Sequence, residues 1–282
     1  MMKKYLRMTL NERIQHINLM INFTILVITG FALRFPEAFW ASPMTDVPSG
    51  MSVRGLLHRL CGVAILTLGG YHFLYGVFTK RGRGILKDML PRWRDARDLW
   101  ETLKNNLFIN RPAKELKMGR FNFREKLEYL ALIWGTIVMA VTGFILWYEV
   151  EWLKYFPKWT YAVAQTVHLY EAILATLAII VWHFYSVIFD PETYPMNWAW
   201  ITGNMTEHEM KLEHGLELER IMAEERRGEG KELEAFPVDG ENQADPFSAK
   251  QEEGLSIRNL VGTVRGLNET MKEWKGGTKS PE

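Results

Sequence analysis

The chain of 282 residues contains one cysteine, Cys61. A lone thiol excludes a disulfide framework, and the lack of any C-x-x-C-H run excludes a c-type haem attached to this chain. Net charge is also nearly absent, with 34 Lys and Arg against 33 Asp and Glu, and the mean hydropathy is −0.13. Those averages describe neither half of the molecule. Residues 1–189 hold 23 basic and 13 acidic residues and 30 of the 36 aromatics, whereas residues 190–282 hold 11 basic and 20 acidic. The two parts carry +10 and −9 and cancel, so a single uniform domain is excluded. The positive charge is confined to particular loops, which argues against nucleic acid as a partner.

Four long apolar runs lie in the basic part, at residues 17–33, 56–78, 127–148 and 161–189. About 20 mostly apolar residues cross a hydrocarbon core of roughly 30 Å. Buried helices of a soluble bundle would carry a charged stripe, and these runs do not. The first run is not read as a cleavable signal peptide, because it lacks a small-residue cleavage site and has His16 at its start. The expected fold class is therefore all-α, a transmembrane four-helix bundle over residues 1–205.

Basic residues orient the spans. Lys3, Lys4, Arg7 and Arg13 precede the first, and the loop from Thr79 to Lys126 has 14 Lys and Arg; residues 34–55 and 149–160 have two each. An even number of spans then places both termini and the central loop in the cytoplasm, in the cytoplasmic membrane of a prokaryote. Trp40, Trp147, Trp152 and Trp159 mark the outer span ends as an aromatic belt. Within the central loop, Leu86, Leu90, Trp93, Arg97, Trp100, Leu103 and Leu107 recur at helical spacing, which predicts an amphipathic helix over 86–107 on the inner lipid surface.

Histidines carry the chemistry. Imidazoles are costly inside a membrane, yet His58, His72, His168 and His183 lie in the runs and His16 stands at the start of the first span. His58 to His72 is 14 residues and His168 to His183 is 15, about 21–23 Å of helix in each case. The topology puts His58 and His168 at an outer level, and His72, His183 and His16 at an inner one. Paired imidazoles at two levels of a bundle are what two bis-His b-type haems require, whereas zinc wants its ligands clustered. Gly30, Gly62, Gly69, Gly70 and Gly143 would let a porphyrin approach the backbone. Arg34, Arg54 and Arg59 at the outer level, and Arg13 at the inner one, are candidates to pair haem propionates. The phrases Ile28-Thr29-Gly30-Phe31 and Val141-Thr142-Gly143-Phe144 suggest a repeat of helix pairs. That repeat would match His72 with His183 and leave His16 spare, so the inner partner of His183 stays open between His16 and His72.

Arg13-x-x-His16 with Thr29-Gly30, His58-x-x-x-Gly62, Lys126 and Tyr129 before Thr142-Gly143, and His168 with His183 resemble a known family. It comprises the di-haem cytochrome b subunits of formate dehydrogenase (gamma subunit), nickel–iron hydrogenase and thiosulfate reductase type complexes. The resemblance covers about residues 8–205. It implies an outer haem on His58 and His168, an inner haem on His16 and His183, and a quinone site near the inner haem. His72 departs from the pattern and stands as alternative inner ligand, quinone contact or hydrogen-bond donor. The resemblance carries Asn122 to the quinone site, against the plain alternative of an N-cap for the third span. Glu171 in span four is either a proton relay, a partner for a neighbour of a haem ligand, or a solvated interfacial carboxylate.

The expected function is electron transfer between the quinone pool, menaquinone or ubiquinone, and an iron–sulfur or multihaem cytochrome subunit on the outer side. The chain would be the quinone-reactive subunit of a respiratory oxidoreductase, with substrate chemistry elsewhere. The competing readings are a stand-alone transmembrane di-haem cytochrome and a haem-free anchor or transporter. Residues 206–282 are expected to form a charged cytoplasmic tail. Thr206 and Glu209 would cap a charged helix running to about Arg227, residues 228–255 would form a flexible linker, and residues 256–274 an amphipathic helix seeking another subunit or the membrane. His208 and His214 read as solvated.

Overall fold

A computed structural model describes residues 3–46, 49–107, 117–191 and 193–228; the expected linker and the 256–274 helix lie outside the described residues. The described chain falls into two units, residues 3–184 with 198–228, and the short stretch 185–197.

In the first unit, strand β1 (Lys4–Leu6) leads into helix α1 (Leu10–Arg34). Thr9 and Glu12 close a capping box there, each side chain bonding the other's backbone N–H, so α1 starts seven residues before its apolar run. A short helix α2 (Ser42–Thr45) turns the chain into α3 (Gly50–Phe78). The corner is tight. Ser49 has φ 68°, and a Cβ on Gly50 would lie 2.9 Å from the Met44 carbonyl oxygen.

Helices α4 (Lys80–Met89) and α5 (Trp93–Leu107) replace the single amphipathic helix expected over 86–107. Pro91 is the reason: its ring pushes Leu90 out of the α region, to ψ 132°, and ends α4. At the other end of α4, a Cβ on Gly82 would collide with the Tyr75 carbonyl oxygen, so only glycine fits that approach.

Helix α6 (Phe123–Trp147) opens with a second capping box, Asn122 with Glu125. Helix α7 (Glu149–Tyr155) connects to α8 (Lys158–Leu177), which widens into π-helical turns at Ala178–His183. Helix α1 packs chiefly on α3, and α6 on α8, as two hairpin pairs. Helices α1, α3, α6 and the stretch Lys158–Phe189 are each long and apolar enough to cross a membrane. Phe73, Trp134 and Val181 are about two-thirds exposed at 65%, 66% and 65%, which suits lipid rather than water.

The chain then returns through α9 (Ala199–Thr202), strand β2 (Asn204–Thr206), α10 (Glu207–Glu213) and α11 (Gly215–Arg226). β2 pairs antiparallel with β1, Tyr5 opposite Met205. Tyr5, Ala199, Met205, Met210, Leu218 and Ile221 form the core of this cap. Thr206 and Glu209 do close a capping box, but the helix expected to run to Arg227 breaks at His214 into α10 and α11. In the second unit, π-helical turns at Tyr185–Phe189 are followed by a bend in which the Asn197 N–H bonds the Val187 carbonyl.

Candidate functional site

Two pairs of imidazoles face each other between the helix pairs. The His58 and His168 ring centroids are 6.3 Å apart, and those of His16 and His183 are 6.4 Å apart. Two imidazoles bound to opposite sides of one metal, with bonds of about 2.0 Å and about 1.2 Å more to each ring centre, have centroids about 6.4 Å apart. Both pairs meet that spacing. Among the described residues no group of three or more His, Cys, Asp and Glu is arranged for a metal ion.

The protonation of the first pair follows from its neighbours. Thr29 Oγ1 donates to the Ile25 carbonyl at 2.6 Å and stands 2.9 Å from His58 Nδ1. Thr142 Oγ1 donates to the Val138 carbonyl at 2.7 Å and stands 2.8 Å from His168 Nδ1. A hydroxyl has one proton, so each threonine can only accept from its histidine. Nδ1 therefore carries the hydrogen, and Nε2 keeps the lone pair a metal needs. The glycines of the two Thr-Gly phrases serve the imidazoles themselves. A Cβ on Gly30 would lie 3.3 Å from His58 Cε1, and one on Gly143 would lie 3.4 Å from His168 Cε1. A Cβ on Gly62, Gly69 or Gly70 would meet open space.

The second pair has different surroundings. His183 Nδ1 is 2.8 Å from Glu128 Oε2, a carboxylate one turn into α6. His16 Nδ1 is buried and has no hydrogen-bond partner among the described residues, and its ring lies 6.2 Å from that of Trp200 on α9. The π-helical turns before His183 take more residues per turn than an α-helix, which brings a spacing of 15 residues closer to whole turns after His168.

His72 stands apart from both pairs. Gln15 Oε1 accepts from its Nδ1 at 2.8 Å, and Tyr129 OH donates to its Nε2 at 3.0 Å. Both nitrogens are committed, and the ring ties α3 to α1 and α6. Of the arginine candidates, Arg54 gives Nη1 to the Thr29 carbonyl at 2.9 Å and keeps a buried Nε with no partner among the described residues. Arg59 lies over the Trp147 ring at 5.4 Å, and Arg34 over Phe35. Arg13 bonds the Ile201 carbonyl, with a buried unpartnered Nε. Asn122 caps α6 by accepting from the Glu125 N–H, and Glu171 Oε1 sits against Gly135, where a Cβ would come within 2.9 Å.

The end of the bundle near the N-terminus is knitted by charge. Glu12 takes both Nε and Nη2 of Arg81, at 2.7 and 3.0 Å, and the Tyr75 hydroxyl at 3.0 Å. The bond from Glu12 raises the Arg81 pKa above its ordinary value. Arg7 pairs with Glu125 at 2.9 Å, and Lys126 with Asp95 at 2.8 Å. His214, expected in solvent, is 1% exposed and bonds the Gly119 carbonyl through Nδ1 at 3.0 Å. Burial, then repulsion from Arg7, pushes its pKa down to about 4. Its charged neighbours in sequence hid this, whereas Glu128 had a visible signal, a carboxylate inside an apolar span.

The formate dehydrogenase, nitrate-inducible, cytochrome b556(Fdn) subunit of Escherichia coli is 25% identical over 183 residues, which cover 65% of this chain and 77% of that protein. The formate dehydrogenase cytochrome b556 subunit of Haemophilus influenzae is 25% identical over 173 residues, covering 61% of this chain and 66% of that protein. A family model described as prokaryotic cytochrome b561 matches residues 7–196, the segment that holds all four facing histidines and all four apolar helices. The chain belongs to the prokaryotic cytochrome b561 family, as a multi-pass membrane cytochrome b that carries b-type haem and transfers electrons.

Proposed function

We propose that this chain holds two b-type haems, one between His58 and His168 and one between His16 and His183, and links a quinone to a redox partner across the membrane. The observation that carries the reading is the pair of centroid separations, 6.3 and 6.4 Å, with Nδ1 of three of the four rings held by an acceptor. Haem supplies a one-electron couple at each level. The residues supply the rest. Thr29, Thr142 and Glu128 fix the ring orientation and leave Nε2 free. Arg54 and Arg13, each with a buried unpartnered Nε, are positioned to meet propionates at the two levels.

His16 is preferred over His72 as the second inner ligand because Gln15 and Tyr129 already engage both His72 nitrogens. The basic N-terminus and central loop support a cytoplasmic assignment for both termini. Quinone then reacts near the His16/His183 level, beside Asn122. An iron–sulfur or multihaem cytochrome subunit docks at the His58/His168 level, on the outer side of the cytoplasmic membrane. The relatives' names place them in formate dehydrogenase, and a partner subunit for this chain is inferred from that kinship.

A pyridine haemochrome assay on the purified full chain tests the reading. Two haems per chain are expected in the wild type and in His72→Leu, and one in His16→Leu. No haem in the wild type, or loss of one in His72→Leu but not in His16→Leu, overturns it. Reduction of the haems by a quinol analogue in membranes is the companion measurement for the quinone link.

A further inference from the structure

Three of the four facing imidazoles hold a hydrogen-bond acceptor at Nδ1, and the acceptors are not alike. His58 and His168 bond neutral hydroxyls, Thr29 and Thr142. His183 bonds the Glu128 carboxylate. Among the described residues His183 is the sole ion-pair partner of Glu128, and Glu128 Oε1 is buried without a hydrogen bond. Lys126, two residues before Glu128, is engaged by Asp95, as Arg7 is by Glu125 and Arg81 by Glu12.

We propose that Glu128 is a potential-setting residue that acts through His183, lowering the reduction potential of the group held there and leaving the other level to neutral acceptors. This rests on the di-haem reading above. A carboxylate that accepts from Nδ1–H draws the proton toward itself and leaves more electron density on Nε2. A more basic imidazole stabilises the ferric over the ferrous state. A threonine hydroxyl, already polarised by donating to its own helix, accepts with a much smaller charge. The two haem levels therefore differ in electronic design, although the four histidines look equivalent in sequence. Arg54 and Arg59 stand near the Thr-supported level and Arg13 at the other, so each level has at least one cation and the carboxylate of Glu128 is the difference between the ligand supports.

A potentiometric titration of the haem absorption bands in the purified full chain tests this, with Glu128→Gln beside the wild type. Glutamine keeps the acceptor oxygen and removes the charge. The expected result is that one of the two one-electron steps moves to higher potential by about tenfold in its equilibrium constant, about 59 mV. The other step stays in place, and the haemochrome count remains two. The ferric low-spin resonance of one haem should shift, and that of the other should not. Two haems with both steps unmoved in Glu128→Gln, or both moved equally, overturns the proposal. Where Glu128→Gln loses a haem, Glu128→Asp is read instead. A shorter carboxylate must raise the same single step, and no rise overturns the proposal. Failure of the di-haem reading itself shows separately, as fewer than two haems in the wild type.

Discussion

Thr142 Oγ1 lies 2.8 Å from His168 Nδ1 while donating its own proton to the Val138 carbonyl at 2.7 Å. This one contact sets the ring's tautomer, and its replacement has a definite outcome. Thr142→Val keeps the shape and strands the Nδ1 hydrogen in a partly buried site, which costs about 1–3 kcal/mol. Haem affinity at that level should fall by about 10- to 100-fold, the usual effect of losing a partner behind a ligand. Titrating haem out with apomyoglobin checks it, because one haem should leave well before the other.

The glycine beside each threonine gives a steric prediction. Gly30→Val places a branched side chain where a Cβ alone would already lie 3.3 Å from His58 Cε1. The ring must swing away from its partner, and one haem per chain should be lost. Thr29→Ser, which keeps the hydroxyl, should retain two haems. Equal haem content in Gly30→Val and the wild type would show that the imidazole is not held by this contact.

Much of this was readable in one dimension. Four apolar runs specify four spans because crossing a hydrocarbon core depends on composition and length alone. Five intramembrane histidines stood out for the same reason. The roles of Thr29 and Thr142 were hidden within a visible phrase: the repeat was plain, but that its glycines also make room for the imidazole edges shows only once the helices are packed. Gln15, Tyr129 and Glu128 could not be matched to their histidines, because His72 meets Gln15 and Tyr129 across 57 residues in each direction, and His183 meets Glu128 across 55. The break between α4 and α5 was legible in Leu90-Pro91, where helical spacing of the apolar residues outweighed the steric rule.

Arg81 and Glu12 form a two-bonded pair that also gathers Tyr75 and the Arg7 carbonyl. The Glu12 carboxyl is one side of the α1 capping box as well. Arg81→Met should therefore destabilise by about 3 kcal/mol, near the lower end for breaking a largely buried pair. The double variant Arg81→Met with Glu12→Gln should recover part of that loss, since no charge is then left unpaired. Thermal unfolding of the three variants in detergent, compared as a double-mutant cycle, measures the coupling.

His214 makes the tail's docking depend on pH. The imidazole donates Nδ1–H to the Gly119 carbonyl, and its Nε2 is buried without a hydrogen bond, 3.9 Å from Glu213. Arg7 opposes protonation and Glu125 favours it, while burial dominates and sets the folded pKa near 4, against 6.5 for the free group. Above pH 6.5 the ring is neutral whether α10 and α11 are docked or released, so docking is at full strength. Between 6.5 and 4 the released form binds a proton that the docked form refuses, and docking weakens as pH falls. At pH 5 the loss is roughly 2 kcal/mol, about a thirtyfold rise in the released population. Hydrogen exchange in Glu207–Arg226 should therefore accelerate between pH 7.5 and 5 after correction for intrinsic rates. His214→Gln, which can still donate to Gly119 and does not titrate, should abolish that acceleration. An unchanged pH profile in the variant would assign the sensitivity to the carboxylates of α10 and α11 instead.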